Sequence, residues 1–353
     1  MPTPDVLRSL LTAPGPSGYE TAPARVWREA AEGFASSVTT DIMGSTVATV
    51  DGTGDGPLLA IVGHVDEIGL IVTHVDDEGM LWFAEVGGWD AQILVGQRVE
   101  IQTTNGPVPC VVGKKPIHLL SGDDRKKVAE LDDLHIDIGA TGRDDACERV
   151  QLGDVAVVSG EPIELPHDRV VSRSMDNRLG AFVALEAARL VSEAGGAPGA
   201  VAAVAAVQEE TTFGGARTTA FSLQPQVAIV VDVTHATDAP GVQPKEAGGK
   251  HGLGEGPVIQ RGSIIHPVVF RELRATAEAE GIAFSIEVSG RGTHTDADAI
   301  HLSRGGVPTG VISIPLRYMH SPVEMVQLTD VHAAARLIAA FAQRLTSDLS
   351  FAR

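Results

Sequence analysis

The chain of 353 residues predicts an α/β protein: a mixed sheet flanked by helices, with a small β-barrel inserted into it. Three observations lead there. Strands such as Val201–Val207 and Val227–Val231 are unbroken runs of Val, Ala and Ile, the signature of a sheet buried on both faces. The opening residues mix helices and strands, and strand–helix alternation runs from Val170 onward. Between about Ile71 and Pro166 that alternation lapses into short β-like runs divided by turns, with no helix long enough to cross over.

Taken in order, Asp5–Leu11 and Ala22–Phe34 carry apolar residues at helical spacing, and Pro14-Gly15-Pro16-Ser17-Gly18 breaks the chain between them. Thr46–Val50 and Leu58–Val62 read as strands joined by the Gly-rich turn Asp51–Gly56. The barrel strands are Gly69–Val75, Met80–Glu85, Arg98–Gln102, Val108–Val112 and Val155–Val158. Leu179–Val191 is an apolar helix, and Thr218–Leu223 belongs to another. Pro267–Glu280 opens with the proline favoured at a helix start. Phe284–Val288 and Gly310–Ile314 are further strands, and Thr329–Leu345 is the closing helix. The expected organisation is an α/β domain in two parts, residues 1–70 and 167–353, that would carry any site, around a barrel at 71–166 that serves oligomerisation.

Composition narrows the partners. Hydrophobic residues make up 43% of the chain, ample for a core, and 27 basic residues against 46 acidic ones leave a net charge of −19. A surface this acidic opposes nucleic acid and anionic membranes, which need a basic face. Cys110 and Cys147 form no disulfide framework and no Cys-x-x-Cys pattern, which fits a cytoplasmic location. The opening Met1-Pro2-Thr3-Pro4-Asp5 has no signal-sequence pattern, and no apolar run approaches the roughly 18 residues of a membrane span.

Chemistry-bearing residues collect where the strands end. Leu58–Gly63 runs into His64-Val65-Asp66, Val170–Met175 into Asp176, and Val201–Val207 into Gln208-Glu209-Glu210. Val227–Val231 ends at Asp232, and Val311–Ile314 is followed by His320. Strand ends at one edge of an α/β sheet are where such folds build ligand sites. Two histidines among several carboxylates suit a pair of divalent ions, which in hydrolases stand about 3.5–4 Å apart and share a carboxylate. Asp176 is offered for that bridge, although alone it reads more readily as a helix N-cap, and the other strand ends turn the reading. If the strand persists, Glu209 and Glu210 point to opposite sides, one toward a metal and one toward a water as general base. Asp66 stands where it can orient His64 through the ring's second nitrogen. The other histidines show no HExxH spacing, though His235 and His294 lie near the site loops. Gly87-Gly88-Trp89 reads as an ordinary turn.

These motifs, in order, resemble the tetrahedral (TET) aminopeptidase family, the glutamyl or deblocking aminopeptidases once grouped as cellulase M. The matching segments are Pro14–Glu20, Gly63–Gly69, Ser174–Gly180, Val207–Glu210, Val231–Val233 and Met319–Ser321, which together span most of the chain. The resemblance implies that Asp176 bridges, that His64 and Asp232 complete one metal site, and that Glu210 and His320 complete the other. It makes Glu209 the general base and Asp66 the residue that orients His64, and it sets Thr295-Asp296-Ala297 beside the substrate pocket. Gly44-Ser45 stands where the family has Gly-Asn, a departure in a turn. The implied protein is a cytoplasmic aminopeptidase with two divalent ions, zinc first and cobalt or manganese next. It would act on peptides with a free N-terminus and assemble as a homododecamer built from dimers. Two rivals use the same residues: a dinuclear carboxypeptidase or amide deacylase, with Arg178, Arg217, Arg291 or Arg317 for a substrate carboxylate, and a non-catalytic peptide-binding scaffold.

Overall fold

The computed structural model describes residues 1–352. Its centre is an eight-stranded mixed sheet. In spatial order the strands are Ser37–Thr40, Thr46–Val50, Val201–Ala206, Leu59–His64, Val227–His235, Thr309–Leu316, Val258–Gly262 and Ser285–Ser289. The four from Val201–Ala206 through Thr309–Leu316 are mutually parallel and almost wholly buried, as their unbroken apolar runs require. Their carboxyl ends therefore share one edge, and the residues just past them face a common cleft.

Helices cover both faces. Asp5–Thr12, Thr21–Ala31, Met175–Glu193, Pro267–Ala279 and Leu328–Gln343 pack Leu7, Trp27, Leu179, Leu273 and Val331 into one core layer. Gly214–Leu223 and Ala297–Ile300 pack Ala216, Ala220 and Ile300 on the opposite face. The helix Met175–Glu193 approaches the sheet closely through glycine. A Cβ on Gly63 would stand 2.2 Å from the carbonyl carbon of Gly180, and one on Gly180 would stand 2.4 Å from the carbonyl oxygen of Val231. Only glycine admits that approach, which seats the start of this helix on the ends of the central strands.

The strands Gly69–Val75, Leu81–Val86, Leu134–Asp137, Gly106–Lys114, Arg98–Thr103 and Val155–Val158 close into a barrel with its own core around Leu70, Leu81, Ile101 and Ile136. Leaving it, the chain forms a second small sheet of Ile163–Leu165, Arg169–Ser172 and Glu324–Gln327. There Ser172 pairs with Glu324, so the segment leading to Asp176 lies beside the segment that follows His320. The sequence pattern misses Ser37–Thr40, Leu134–Asp137, Val258–Gly262, Glu324–Gln327 and the barrel helix Arg143–Arg149. All are short, and several carry polar or charged residues that mask the apolar period. No helix of the described residues is long and apolar enough to cross a membrane.

Gly63→Ala is expected to destabilise the protein by about 1–3 kcal/mol, the ordinary range for overpacking a close-packed interior. Thermal denaturation should show a lower midpoint. An unchanged midpoint would mean that helix and sheet separate without penalty.

Candidate metal centre

The cleft at the carboxyl ends of the parallel strands encloses about 520 Å³ and is lined by His64, Asp176, Glu209, Glu210, Asp232 and His320. Every sequence-predicted ligand faces it, and Asp66 lies buried behind His64. His235, His294 and Thr295 also line it.

Asp176 joins the two histidines. Its Oδ1 lies 3.3 Å from His64 Nε2 and its Oδ2 lies 3.4 Å from His320 Nε2. Its backbone (φ −78, ψ 107) is not helical, so the carboxylate faces the cleft instead of capping the helix that follows. Asn177 fixes the turn by donating from Nδ2 to the Val231 carbonyl at 2.8 Å and accepting from the Gly180 N–H at 2.8 Å.

Two groupings of donors form around these contacts. Ligand atoms of His64, Asp176 and Glu210 all lie within 4.8 Å of one another, and so do those of His64, Glu209 and Asp232. His320 Nε2 lies 3.6 Å from Glu210 Oε2, and His64 Nε2 lies 3.5 Å from Glu209 Oε2. Glu209 and Glu210 do not continue the strand. The chain turns at Gln208 (φ 58) into the short helix Glu209–Thr212, which sends both carboxylates into the cleft. Asp232 is likewise not a strand end, because its strand runs on to His235.

A layer of backbone contacts holds this set. His64 Nδ1 lies 3.2 Å from Asp66 Oδ1. The N–H groups of Glu209 and Glu210 donate to Asp66 at 3.1 and 3.0 Å. Three further residues, missed in the sequence, do comparable work. Glu324 accepts from the N–H groups of Met175 (2.8 Å), Asp176 (3.2 Å) and His320 (2.9 Å), so one buried carboxylate positions two chain segments of the site. Glu20 accepts from the Gln208 N–H at 3.0 Å. The carbonyl of Gly88, in what read as an ordinary turn, lies 2.9 Å from His320 Nδ1, so a barrel loop orients that ring. None had a local signal, since each acts on backbone or from a distant segment.

Electrostatics favour cations here. Burial, with Asp232, Asp296 and Glu210 nearby, pushes the Glu209 carboxyl up to about 11. Burial and Asp176 push Glu210 up to about 8, and burial raises Asp232 well above its ordinary value. His320 is raised to about 9, first by its contact with Asp176. Asp66 is depressed: burial opposes ionisation, but His64 and the backbone donors outweigh it. So many buried acids cannot all ionise side by side unless positive charge sits among them. Glu210 Oε1 is moreover buried with no hydrogen-bond partner. Imidazole and carboxylate are the donors that zinc and related divalent ions take, so the residues present fit such ions.

The M42 glutamyl aminopeptidase family model matches residues 44–337. The chain is 36% identical to a putative aminopeptidase of Acetivibrio thermocellus over 95% of this chain and 96% of that one. Among solved structures it resembles the TET aminopeptidase from the marine sediment archaeon Thaumarchaeota archaeon SCGC AB-539-E09. That match has a TM-score of 0.92 and 37% identity over 98% of this chain and 96% of that one. It also resembles the Pyrococcus horikoshii TET1 peptidase, described as able to assemble into a tetrahedron or a large octahedral shell. Here the TM-score is 0.84, with 33% identity over 96% of this chain and 98% of that one.

Replacing the residue that holds both segments should loosen the centre. Glu324→Ala is expected to weaken Zn²⁺ binding about 10–100-fold, the usual cost of losing a group that orients ligands. Isothermal titration calorimetry reads this directly, and an affinity equal to the parent's would assign Glu324 a purely structural part.

Proposed function

The chain belongs to the M42 glutamyl aminopeptidase family and is a metal-dependent aminopeptidase, and on that footing we propose how its residues divide the work. Asp176 would be shared between two divalent ions, zinc before cobalt or manganese. His64 and Asp232 would hold one ion, and Glu210 and His320 the other. The observation that carries this reading is the placement of the two Asp176 oxygens, one toward each histidine.

When bound, such a pair acidifies water and polarises the scissile carbonyl. The remaining chemistry belongs to side chains. Glu209 is the general base: its carboxylate takes the proton of the attacking water and returns it to the leaving amide nitrogen. Asp66 keeps His64 oriented through Nδ1, leaving Nε2 facing the cleft. The substrates are peptides whose free α-ammonium is drawn to this acidic lining.

The two rival readings fit less well. A carboxypeptidase or a deacylase of acidic amides needs a cation for the substrate carboxylate, and among the described residues no Lys or Arg lines the cleft. Arg178 is enclosed against Glu67, Arg217 opens on a separate groove beside Phe221, Arg317 pairs with Asp238, and Arg291 is exposed outside the cleft lining. A non-catalytic scaffold would have no use for a general base beside a complete ligand set. Hydrolysis of aminoacyl-anilides, with no hydrolysis of their N-acetylated equivalents, tests the reading against both.

The protein acts in the cytoplasm as a homododecamer built from dimers, with the inserted barrel, about residues 71–166, as its contact module. The exposed Ile117, Leu119 and Val128, all on one connection of the barrel, support that placement, since exposed apolar side chains favour association.

Two outcomes check these assignments. Glu209→Gln should lower kcat by about 10²–10⁴ while elemental analysis finds the parent's metal content; retained turnover would remove Glu209 as the base. Light scattering should give twelve times the chain mass for the parent and a smaller assembly when Ile117, Leu119 and Val128 are all changed to Ser. A full-sized assembly from that triple variant would exclude this loop from the contact.

A further inference from the structure

Beyond the metal residues, the cleft extends over the sheet toward its edge. Gln260 and Glu287, partners in register on neighbouring strands, line this extension. Thr234 lines it too, two residues past Asp232 on the same face of its strand and so roughly 7 Å farther along. The Thr234 hydroxyl and the Gln260 side chain both interact with the Glu287 carboxyl. Gln260 also reaches Ser313, which pairs with Asp232, so a polar row links the metal cluster to the sheet edge.

This row is short of donors. Glu287 Oε2 and Gln260 Oε1 are buried acceptors with no hydrogen-bond partner. No Lys or Arg among the described residues lines the cleft to supply one. Burial raises the Glu287 carboxyl above its ordinary value, against the two side chains that stabilise its ionised form. Gln260 and Glu287 line the cleft, so a cationic donor carried in by a substrate side chain would meet an acidic, acceptor-rich wall there.

Resting on the aminopeptidase reading, we propose that Glu287 and Gln260 form the subsite for the substrate's N-terminal side chain and that it accepts Lys or Arg. A peptide whose α-amino group lies at the metal cluster directs its first side chain along this row. The flexible stem of Lys, or the fork of Arg, carries several donors to the two acceptors. An aliphatic side chain would leave both acceptors buried and unpaired, the feature by which polar sites reject apolar analogues. An N-terminal Glu would bring a second carboxylate to Glu287 with no cation between them. The specificity in the family's descriptive name is thus the one this cleft is least suited to.

The test is a panel of Lys, Arg, Met, Leu and Glu anilides, assayed on metal-loaded protein. Lys and Arg should exceed Met in kcat/KM by at least about tenfold, chiefly through KM. In Glu287→Gln the Lys-to-Met ratio should fall by about tenfold. The ratio comes from a single sample, so partial loss of folded enzyme does not alter it. Glu287→Lys should raise the Glu-to-Lys ratio above the parent's. A parent that prefers Leu, Met or Glu, or a Glu287→Gln variant with the parent's ratio, overturns the subsite and leaves the aminopeptidase reading standing. A metal-loaded parent that hydrolyses none of the five overturns both.

Discussion

Crowded negative charge around one cleft is the constraint on which this structure depends. Asp66, Asp176, Glu209, Asp232 and Glu324 are all nine-tenths or more buried, and Glu210 lies among them. Moving one unpaired carboxylate out of water costs several kcal/mol, and each like-charged neighbour adds to that. The fold answers by dividing the acids into two sets. Asp66 and Glu324, with Glu20 behind them, point away from the cleft and accept backbone N–H groups. Asp176, Glu209, Glu210 and Asp232 point inward, where the imidazoles of His64 and His320 lie among them and divalent ions would balance their charge. The outer set holds the backbone from which the inner set projects, so geometry and charge balance are secured by the same contacts.

That arrangement explains why the two parts of the α/β chain are threaded as they are. His64 ends a central strand, and Asp176 begins a helix only after the chain has traversed the barrel and a short sheet. Pairing of Ser172 with Glu324 returns the chain beside His320, and glycine contact between Gly63 and Gly180 lets the helix settle on the strand ends. The barrel is also more than a detour, because the Gly88 carbonyl lies against His320 Nδ1. A change in how the barrel sits would therefore reach the metal centre through one imidazole.

Much of this was legible in the sequence where composition and position coincide. Unbroken Val/Ala runs disclosed the parallel strands, and the acid or His just beyond each run disclosed the inward set. What was hidden is equally specific. Glu324 and Glu20 act on backbone N–H groups far away in sequence, and an acceptor for a backbone donor leaves no residue-type signature. Glu209-Glu210 suggested two directions along a strand, whereas the left-handed turn at Gln208 puts both carboxylates in the cleft. The strand Val258–Gly262 escaped notice because Gln260 and Arg261 interrupt its apolar run.

Gln260 is polar at a buried position for a reason that also separates the chemistry from the choice of substrate. The inward acids and His64 stand on or beside central strands covered on both faces, where a change of side chain disturbs core packing and metal geometry together. Glu287 stands on the last strand of the sheet, paired on one side only, with Val288 beside it exposed. A substitution there alters what the far end of the cleft can bind while His64, Asp176 and Asp232 keep their supports. A sheet whose middle carries the reaction and whose edge carries the selectivity can exchange one N-terminal preference for another without rebuilding the site that cuts.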